Sequence, residues 1–276
     1  MITAGIDVGC SLIKFALMRD GAELLGKRAE KIRKRDPRAV AAEGYAELLE
    51  DCGLRREQVR YLATTGEGEL VDFRTGHFYG MTTHARGGLH LVAGAGAALD
   101  IGALHARAMT IDAKGRVLQY RMTSQCASGS GQFLENISRY LGISIDEIGP
   151  LSLESKNPES CSSICAVLAE TDVINMVSRG IPREDILKGI HLSIGGRLVK
   201  LLRACRAQGR VALTGGLSQD VGLLAALREL AAAEEATAET PACDFVAHPD
   251  GIYAGALGAA IWADFRAARM EERRVA

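Results

Sequence analysis

The sequence has no apolar run of the roughly 18 residues that a membrane-spanning helix needs, so no membrane contact is expected. No secretory leader is expected either: Met1 runs directly into the apolar positions Ile2, Ala4 and Ile6, without a basic segment or small-residue cleavage site. A cytoplasmic chain is the expectation. An excess of one charge sign is absent too. The 33 Lys and Arg against 34 Asp and Glu leave a net charge of −1, which disfavours a nucleic-acid partner, because such partners need a basic surface. The one basic stretch, Lys27-Arg28-Ala29-Glu30-Lys31-Ile32-Arg33-Lys34-Arg35, reads as a solvated strand or loop, with partner docking as the alternative. There is no low-complexity linker. Seven cysteines, an odd number without regular spacing, argue against a disulfide framework and leave free thiols or metal ligands.

What is present is an ordinary globular composition over 276 residues, 47% hydrophobic and 24% charged, enough for one or two domains. Residues 1 to 18 read as strand, turn, strand: Ile2, Ala4 and Ile6 lead into Asp7-Val8-Gly9-Cys10-Ser11, and Ile13, Phe15 and Leu17 alternate after it. Residues 39 to 52 have helical spacing and stop at Gly53. Tyr61 to Gly66 is a further strand. The opening pattern returns in Ala98-Leu99-Asp100-Ile101-Gly102, with strands expected at 108–112 and, alternating, at 117–122. Helices are expected at 131–141, 164–177 and 186–205, and a strand at 211–214 before a glycine turn. The small-residue run Gly255-Ala256-Leu257-Gly258-Ala259-Ala260 suits a helix packed closely on a sheet. We read a degenerate duplication of a β-rich unit, and expect two similar lobes facing one cleft.

An Asp-x-Gly after a buried strand suits phosphate binding: glycine lets backbone amides approach phosphate oxygens, and the Asp can hold Mg²⁺ through water. Ser11 and Lys14 add a hydroxyl and a cation near Asp7 and Gly9. Singly, a hairpin turn explains the pattern as well. Three such elements together, Asp7/Gly9, Asp100/Gly102 and Thr214-Gly215-Gly216, are harder to dismiss. The combination resembles the actin, sugar kinase and Hsp70 ATPase superfamily, which implies an α/β, actin-like (ribonuclease H-like) ATPase fold. The lobes are expected at residues 1–90, joined by a C-terminal helix at 252–276, and at 91–251.

Cys126 precedes a Gly-Ser-Gly turn and a helix, and Cys165 follows Ser160, Ser162 and Ser163 at the start of another. Helix N-termini favour thiolates and hence metal binding; two buried small residues are the alternative. Two thiolates are half of what a cubane [4Fe–4S] cluster needs, which suggests a cluster shared between subunits. Cys161, at C-x₃-C spacing from Cys165, is a conceivable third ligand.

The run Cys126-Ala127-Ser128-Gly129-Ser130-Gly131-Gln132-Phe133-Leu134-Glu135 and the run Ser163-Ile164-Cys165-Ala166-Val167-Leu168-Ala169-Glu170 resemble the two cysteine motifs of a single family. That family comprises the 2-hydroxyacyl-CoA dehydratase activators and the ATPase subunits of benzoyl-CoA reductase. Thr64-Thr65-Gly66-Glu67-Gly68, the segment His77 to Arg86, and Asp100 to His105 are similar to the D-type reductase branch. The resemblance implies ATP with Mg²⁺ and a [4Fe–4S] cluster bridging Cys126 and Cys165 to a paralogous A-type ATPase subunit. It implies ferredoxin as electron donor and B- and C-type subunits that reduce benzoyl-CoA to a dienoyl-CoA. It assigns nucleotide contacts to Asp7, Gly9, Ser11, Lys14, Gly102, His105, Ser128, Gly129, Gly131, Thr214, Gly215 and Gly216. Asp100 and Glu170 become candidates for positioning the hydrolytic water, with a helix-surface role as the alternative for Glu170, and Cys161 becomes a spectator. Two departures stand out. His105 replaces the acid that ends the family's second turn, Asp-Ile-Gly-Gly-Gln-Asp, and neutral imidazole is a poor Mg²⁺ ligand. Cys10 stands where Ser or Thr is usual. A homodimeric dehydratase activator, or a cluster-free kinase-like ATPase, are the alternatives.

Overall fold

The computed structural model describes residues 1–123, 131–161, 166–235 and 243–275. The chain divides into two units, 1–93 with 112–117 and 250–276, and 94–111 with 118–249.

In the first unit the buried alternation of the N-terminus forms β1 (Ile2–Val8) and β2 (Leu12–Arg19), an antiparallel hairpin extended by β3 (Glu23–Lys31). The chain then crosses over through α1 (Pro37–Asp51) to β4 (Val59–Gly66), parallel to β1, and to β5 (Gly76–His77). The sheet order is β3-β2-β1-β4-β5. Helix α1 starts where the Asp36 side chain accepts from the Arg38 amide and Pro37 supplies a preset φ. It ends at Cys52, with Gly53 beyond it at φ +63°. Its face of Val40, Ala41, Tyr45, Leu48 and Leu49 packs on Ile6, Val8, Ile13, Phe15 and Leu17. The opposite sheet face is covered by α8 (Ala254–Val275), which buries Ala256, Leu257, Ala260 and Ile261 against Ala16 and Met18. Beside it lies α2 (Gly80–Leu91). The small residues of α8 let the backbones nearly touch: a Cβ on Gly258 would lie 1.8 Å from the Thr83 carbonyl oxygen. The basic stretch is a strand and loop laced with ion pairs, Arg28 with Glu30, Glu47 and Asp51, and Arg35 with Glu30 and Glu43. Lys31, Arg33 and Lys34 of the stretch are exposed, so it is a largely solvated face.

The second unit holds β6 (Ala97–Ile101), β7 (Ala106–Ile111), β8 (Val117–Met122), β9 (Gly209–Thr214) and β10 (Cys243–Ala247). Their order is β10-β9-β6-β7-β8. Traced from β8, the sheet repeats the first: an antiparallel β6–β7 hairpin matches β1–β2, and the parallel pairing of β6 with β9 matches β1 with β4. The helices are α3 (Gly131–Leu141), α4 (Ile145–Leu153), α5 (Ala166–Ser178), α6 (Arg183–Ala204) and α7 (Val221–Glu235). Phe133, Leu134, Ile137, Ile190, Ile194, Leu198, Leu227 and Phe245 lie in their shared core. A buried polar cluster pins three of these helices. His191 Nδ1 lies 2.7 Å from Ser152 Oγ, its Nε2 lies 3.2 Å from Asp220 Oδ2, and Asp220 also accepts the Gly222 and Leu223 amides.

The alternating strand expected at 117–122 forms as β8, and Leu118, Tyr120 and Met122 on it are all exposed. β8 is the edge strand, with only β7 beside it. The alternation is in the sequence, but no layer of the described residues covers it. Among the described residues no helix is long and apolar enough to cross a membrane.

Candidate functional site

Each unit carries the same small construction at the end of its hairpin. In the first, Asp7 and Lys14 face each other in the β1–β2 register, and Lys14 Nζ lies 3.2 Å from Asp7 Oδ2. Both are buried, so the pair is held by direct Coulomb attraction at low dielectric. The hairpin closes by a bond from the Gly9 amide to the Leu12 carbonyl at 3.0 Å, leaving Cys10 and Ser11 exposed at the tip. Gly66, at the end of β4, has φ +67°, and a Cβ there would lie 2.3 Å from the Val8 carbonyl oxygen and 3.1 Å from Asp7 Oδ1. Only glycine meets both conditions. Thr65 precedes it, fully buried, with its hydroxyl 3.0 Å from that of Thr83 on α2. Two further groups close in on Asp7. His84 of α2 places Nε2 4.0 Å from Asp7 Oδ2, and Gly255 lies so near that a Cβ would stand 2.8 Å from the same oxygen.

In the second unit Asp100 and Arg107 face each other across β6–β7, with Arg107 Nη1 donating to Asp100 Oδ2 at 3.3 Å. The hairpin closes by a bond from the Gly102 amide to the His105 carbonyl at 2.9 Å. Thr214, fully buried, ends β9 opposite Asp100, and Gly215 follows at φ +87°. A Cβ on Gly215 would lie 2.5 Å from Asp100 Oδ1 and 2.7 Å from the Ile101 carbonyl oxygen. Gly216 is exposed beyond it. Nδ1 of His105 is buried with no hydrogen-bond partner among the described residues, so its desolvation is not compensated by them. Helix α3 starts directly on the turn: the Gly131 and Gln132 amides donate to the Gly102 and Ala103 carbonyls, both at 3.0 Å.

Each turn thus brings together a carboxylate, a base and a positive-φ glycine, chemistry that suits phosphate binding. The sequence matches the BadF/BadG/BcrA/BcrD ATPase family over residues 4–263. The chain belongs to that family. It is 57% identical to the D-type subunit of benzoyl-CoA reductase from Thauera aromatica, over all of this chain and 98% of that one. It is 33% identical to the activator of lactoyl-CoA dehydratase of Anaerotignum propionicum, over 95% of this chain and 97% of that one. The structure of the 2-hydroxyisocaproyl-CoA dehydratase activator of Clostridium difficile, solved with bound ADPNP, superposes with a TM-score of 0.86 at 27% identity, covering 99% of this chain and 98% of that one. A hexokinase of the ROK family from Thermus thermophilus, at 19% identity and a TM-score of 0.54, shows the fold alone. The fold is the actin-like ATPase fold. The chain is thus a homologue of a reductase component within an ATPase family whose members are named as parts of multi-component systems.

Among the residues expected in the site of this BadF/BadG/BcrA/BcrD ATPase, the structure gathers Asp7, Gly9 and Lys14 in one unit, with Ser11 at the turn tip. It gathers Asp100, Gly102, His105, Gly131, Thr214 and Gly215 in the other, with Gly216 at the edge. Glu170 lies on α5, where its Oε1 accepts from Asn136 Nδ2 at 3.0 Å. Cys126, Ser128, Gly129 and Cys165 lie outside the described residues. Among those that are described, no three His, Cys, Asp or Glu side chains converge as a metal site. Cys161 is buried, and desolvation, with Asp172 nearby, pushes its thiol up to about 11. Burial likewise raises Cys52, Cys205 and Cys243 above the ordinary thiol range. For Cys10 burial is again the first cause, with the Glu67 charge second.

Sequence reading missed Thr65, Gly66, His84, Arg107 and Gly255. Arg107 and Gly66 had a signal. Asp7 to Lys14 and Asp100 to Arg107 share one spacing, and Thr65-Gly66 repeats Thr214-Gly215. His84 and Gly255 had none, because they reach Asp7 only through the packing of α2 and α8.

Proposed function

We propose that this chain is the ATP-binding, electron-activating subunit of a benzoyl-CoA reductase, acting in the cytoplasm. The observation that carries the reading is the full-length 57% identity to a D-type benzoyl-CoA reductase subunit. Nucleotide binding has its own physical support in the two cradles. Both present a carboxylate held by a base, a glycine at positive φ against it, and a tight hairpin amide. Asp7 and Asp100 suit a Mg²⁺ shell through water. Gly9, Ser11, Lys14, Gly102, Gly131, Thr214, Gly215 and Gly216 line the phosphate and nucleoside contacts, together with Ser128 and Gly129. The orphaned Nδ1 of His105 is a donor or acceptor in want of a partner, which a phosphate oxygen or a metal-bound water supplies. Asp100 orients the attacking water; Glu170, the second candidate, accepts from Asn136 through Oε1.

Cys126 and Cys165, from their motif resemblance, would hold one [4Fe–4S] cluster with two cysteines of a paralogous A-type subunit. Bound there, the cluster would supply one-electron storage between ferredoxin and the B- and C-type subunits that reduce the aromatic ring. The described residues contribute helix α5, which follows Cys165 in the sequence, and helix α3, which follows Cys126. Helix N-termini carry partial positive charge and would stabilise such a cluster.

Anoxic iron and acid-labile sulfide quantitation, with EPR of the dithionite-reduced complex, tests the reading on the native assembly and on Cys126→Ala. Loss of a [4Fe–4S] signal in the variant, with ATP still bound, is the expected result. Unchanged iron and an unchanged spectrum would remove the cluster from this chain.

A further inference from the structure

Three half-buried polar side chains form a line across α3 and α5. It begins at the second Asp turn, where the Gly131 and Gln132 amides hold the Gly102 and Ala103 carbonyls. One helical turn further on, Gln132 Nε2 donates to Asn136 Oδ1 at 3.3 Å, as the i, i+4 spacing allows. Asn136 Nδ2 then donates to Glu170 Oε1 on α5 at 3.0 Å.

The chemistry of the last member sets the polarity of the whole line. An ionised carboxylate only accepts, so Glu170 draws the amide NH₂ of Asn136 toward α5. The Asn136 oxygen then faces Gln132, which has to present its own NH₂. One acid on α5 thus orients two amides back to the turn. The bond to a carboxylate is charge-assisted, and partial burial strengthens it. The apolar contacts of the two helices, Phe133, Leu134 and Ile137 of α3 and Val173 and Met176 of α5 in one core, have no such directionality, because burial of apolar area tolerates sliding.

We propose that the Asn136–Glu170 pair is the positioning contact that makes α5 follow α3 when nucleotide engages the turn at 102–105. The inference rests on the nucleotide-binding reading above and adds an order of events and a named coupler. Displacement of the turn passes to α3 through the two backbone amides, and from α3 to α5 through Asn136. Uncoupled helices would respond singly. Glu170 acts here through α3, as a positioning residue.

Hydrogen exchange read by mass spectrometry tests this on the co-purified native complex, kept anoxic, with and without ADPNP. The variants are Asn136→Leu, which removes the coupler at similar volume, and Glu170→Gln, whose amide oxygen still accepts from Asn136. The expected result is a nucleotide-dependent change in protection at 131–141 in all three proteins, with the change at 166–178 lost in Asn136→Leu and kept in Glu170→Gln. Nucleotide affinity stays the same. A nucleotide response at 166–178 that survives Asn136→Leu overturns the proposal. Loss of nucleotide binding, or of the response at 131–141, in that variant overturns it too, because the contact is then merely structural. If the unaltered complex shows no response in either helix, the underlying nucleotide reading fails, and the coupler with it.

Discussion

The two hairpin turns are the same device built twice, and their differences are more informative than their likeness. Both put an Asp on the inner strand opposite a base on the outer one, with a buried Thr and a positive-φ Gly arriving from the parallel neighbour. The first turn is closed in: Lys14 is only 10% exposed at its side chain, and His84 and Gly255 crowd the same carboxylate. The second is more open and is bonded to a helix. Arg107 is 27% exposed, His105 Nδ1 has no partner among the described residues, and α3 is bonded directly to the turn carbonyls. A duplicated scaffold has become one closed-in half and one half bonded to a helix. A common fold does not force a common role, since the site lies in the residues grafted onto it.

The likeness of the turns is most severely tested at their two glycines. Gly66→Ala and Gly215→Ala each combine positive φ with a collision against backbone, at 2.3 and 2.7 Å, a strain of order 2–3 kcal/mol. Each variant is expected to lose folding stability of that size, about 2–3 kcal/mol, measured by chemical denaturation. If only one does so, the two glycines are not equivalent in the strain they relieve.

Next in size is the asymmetry of the ion pairs. Asp7→Asn strands a buried Lys14 and is expected to destabilise the chain by about 3 kcal/mol. Asp100→Asn leaves a partly solvated Arg107 and costs about 1 kcal/mol. Chemical denaturation of the two variants measures the difference, and equal losses would mean that the exposure of Arg107 does not matter.

A smaller effect is expected at His105. His105→Ala removes the orphaned nitrogen and is expected to weaken nucleotide binding by about tenfold, the scale of one lost hydrogen bond of about 1.4 kcal/mol. The matching position of the first turn, Leu12, tolerates substitution by Met without a change in affinity. Titration of both variants checks the contrast.

The smallest effect lies in acid, and it sits in the second unit. Asp185 is held below its ordinary pKa by the Ser155 hydroxyl and the Asn157 and Lys156 amides. Asp220 is lowered as well: burial opposes this, but the hydrogen bond and charge of His191 and two backbone amides outweigh it. A depressed carboxylate contributes stability that is complete above its unfolded pKa of about 4 and is lost as pH falls through the lower folded value. Thermal unfolding below pH 4 is expected to show that loss, and Asp185→Asn to flatten it. An unchanged acid limb in the variant would assign the loss to other groups.

Much of this was legible in the chain. The paired strands at 2–8 and 12–19, helix α1 with its Gly53 stop, the repeat at Asp100 and the small-residue α8 all follow from local pattern, because period, capping and glycine chemistry act over a few residues. The Asp turns were legible for the same reason. His84 and Gly255 were not, since nothing local ties residues 84 and 255 to residue 7. Nor was the exposure of β8, because alternation reports which positions share a face and not whether anything covers it. Glu170 was legible as an acid on a helix, but its partner Asn136 was not.

The elements, the two Asp turns and the family are written in the order of residues, because they rest on short-range pattern and on motifs of fixed spacing. Two further facts arise only on packing: Asp7 is walled in by α2 and α8, and α3 and α5 are joined through Asn136. They depend on which distant segments share a sheet or a helix face, and burial and hydrogen-bond satisfaction select such pairings only when the whole chain is folded.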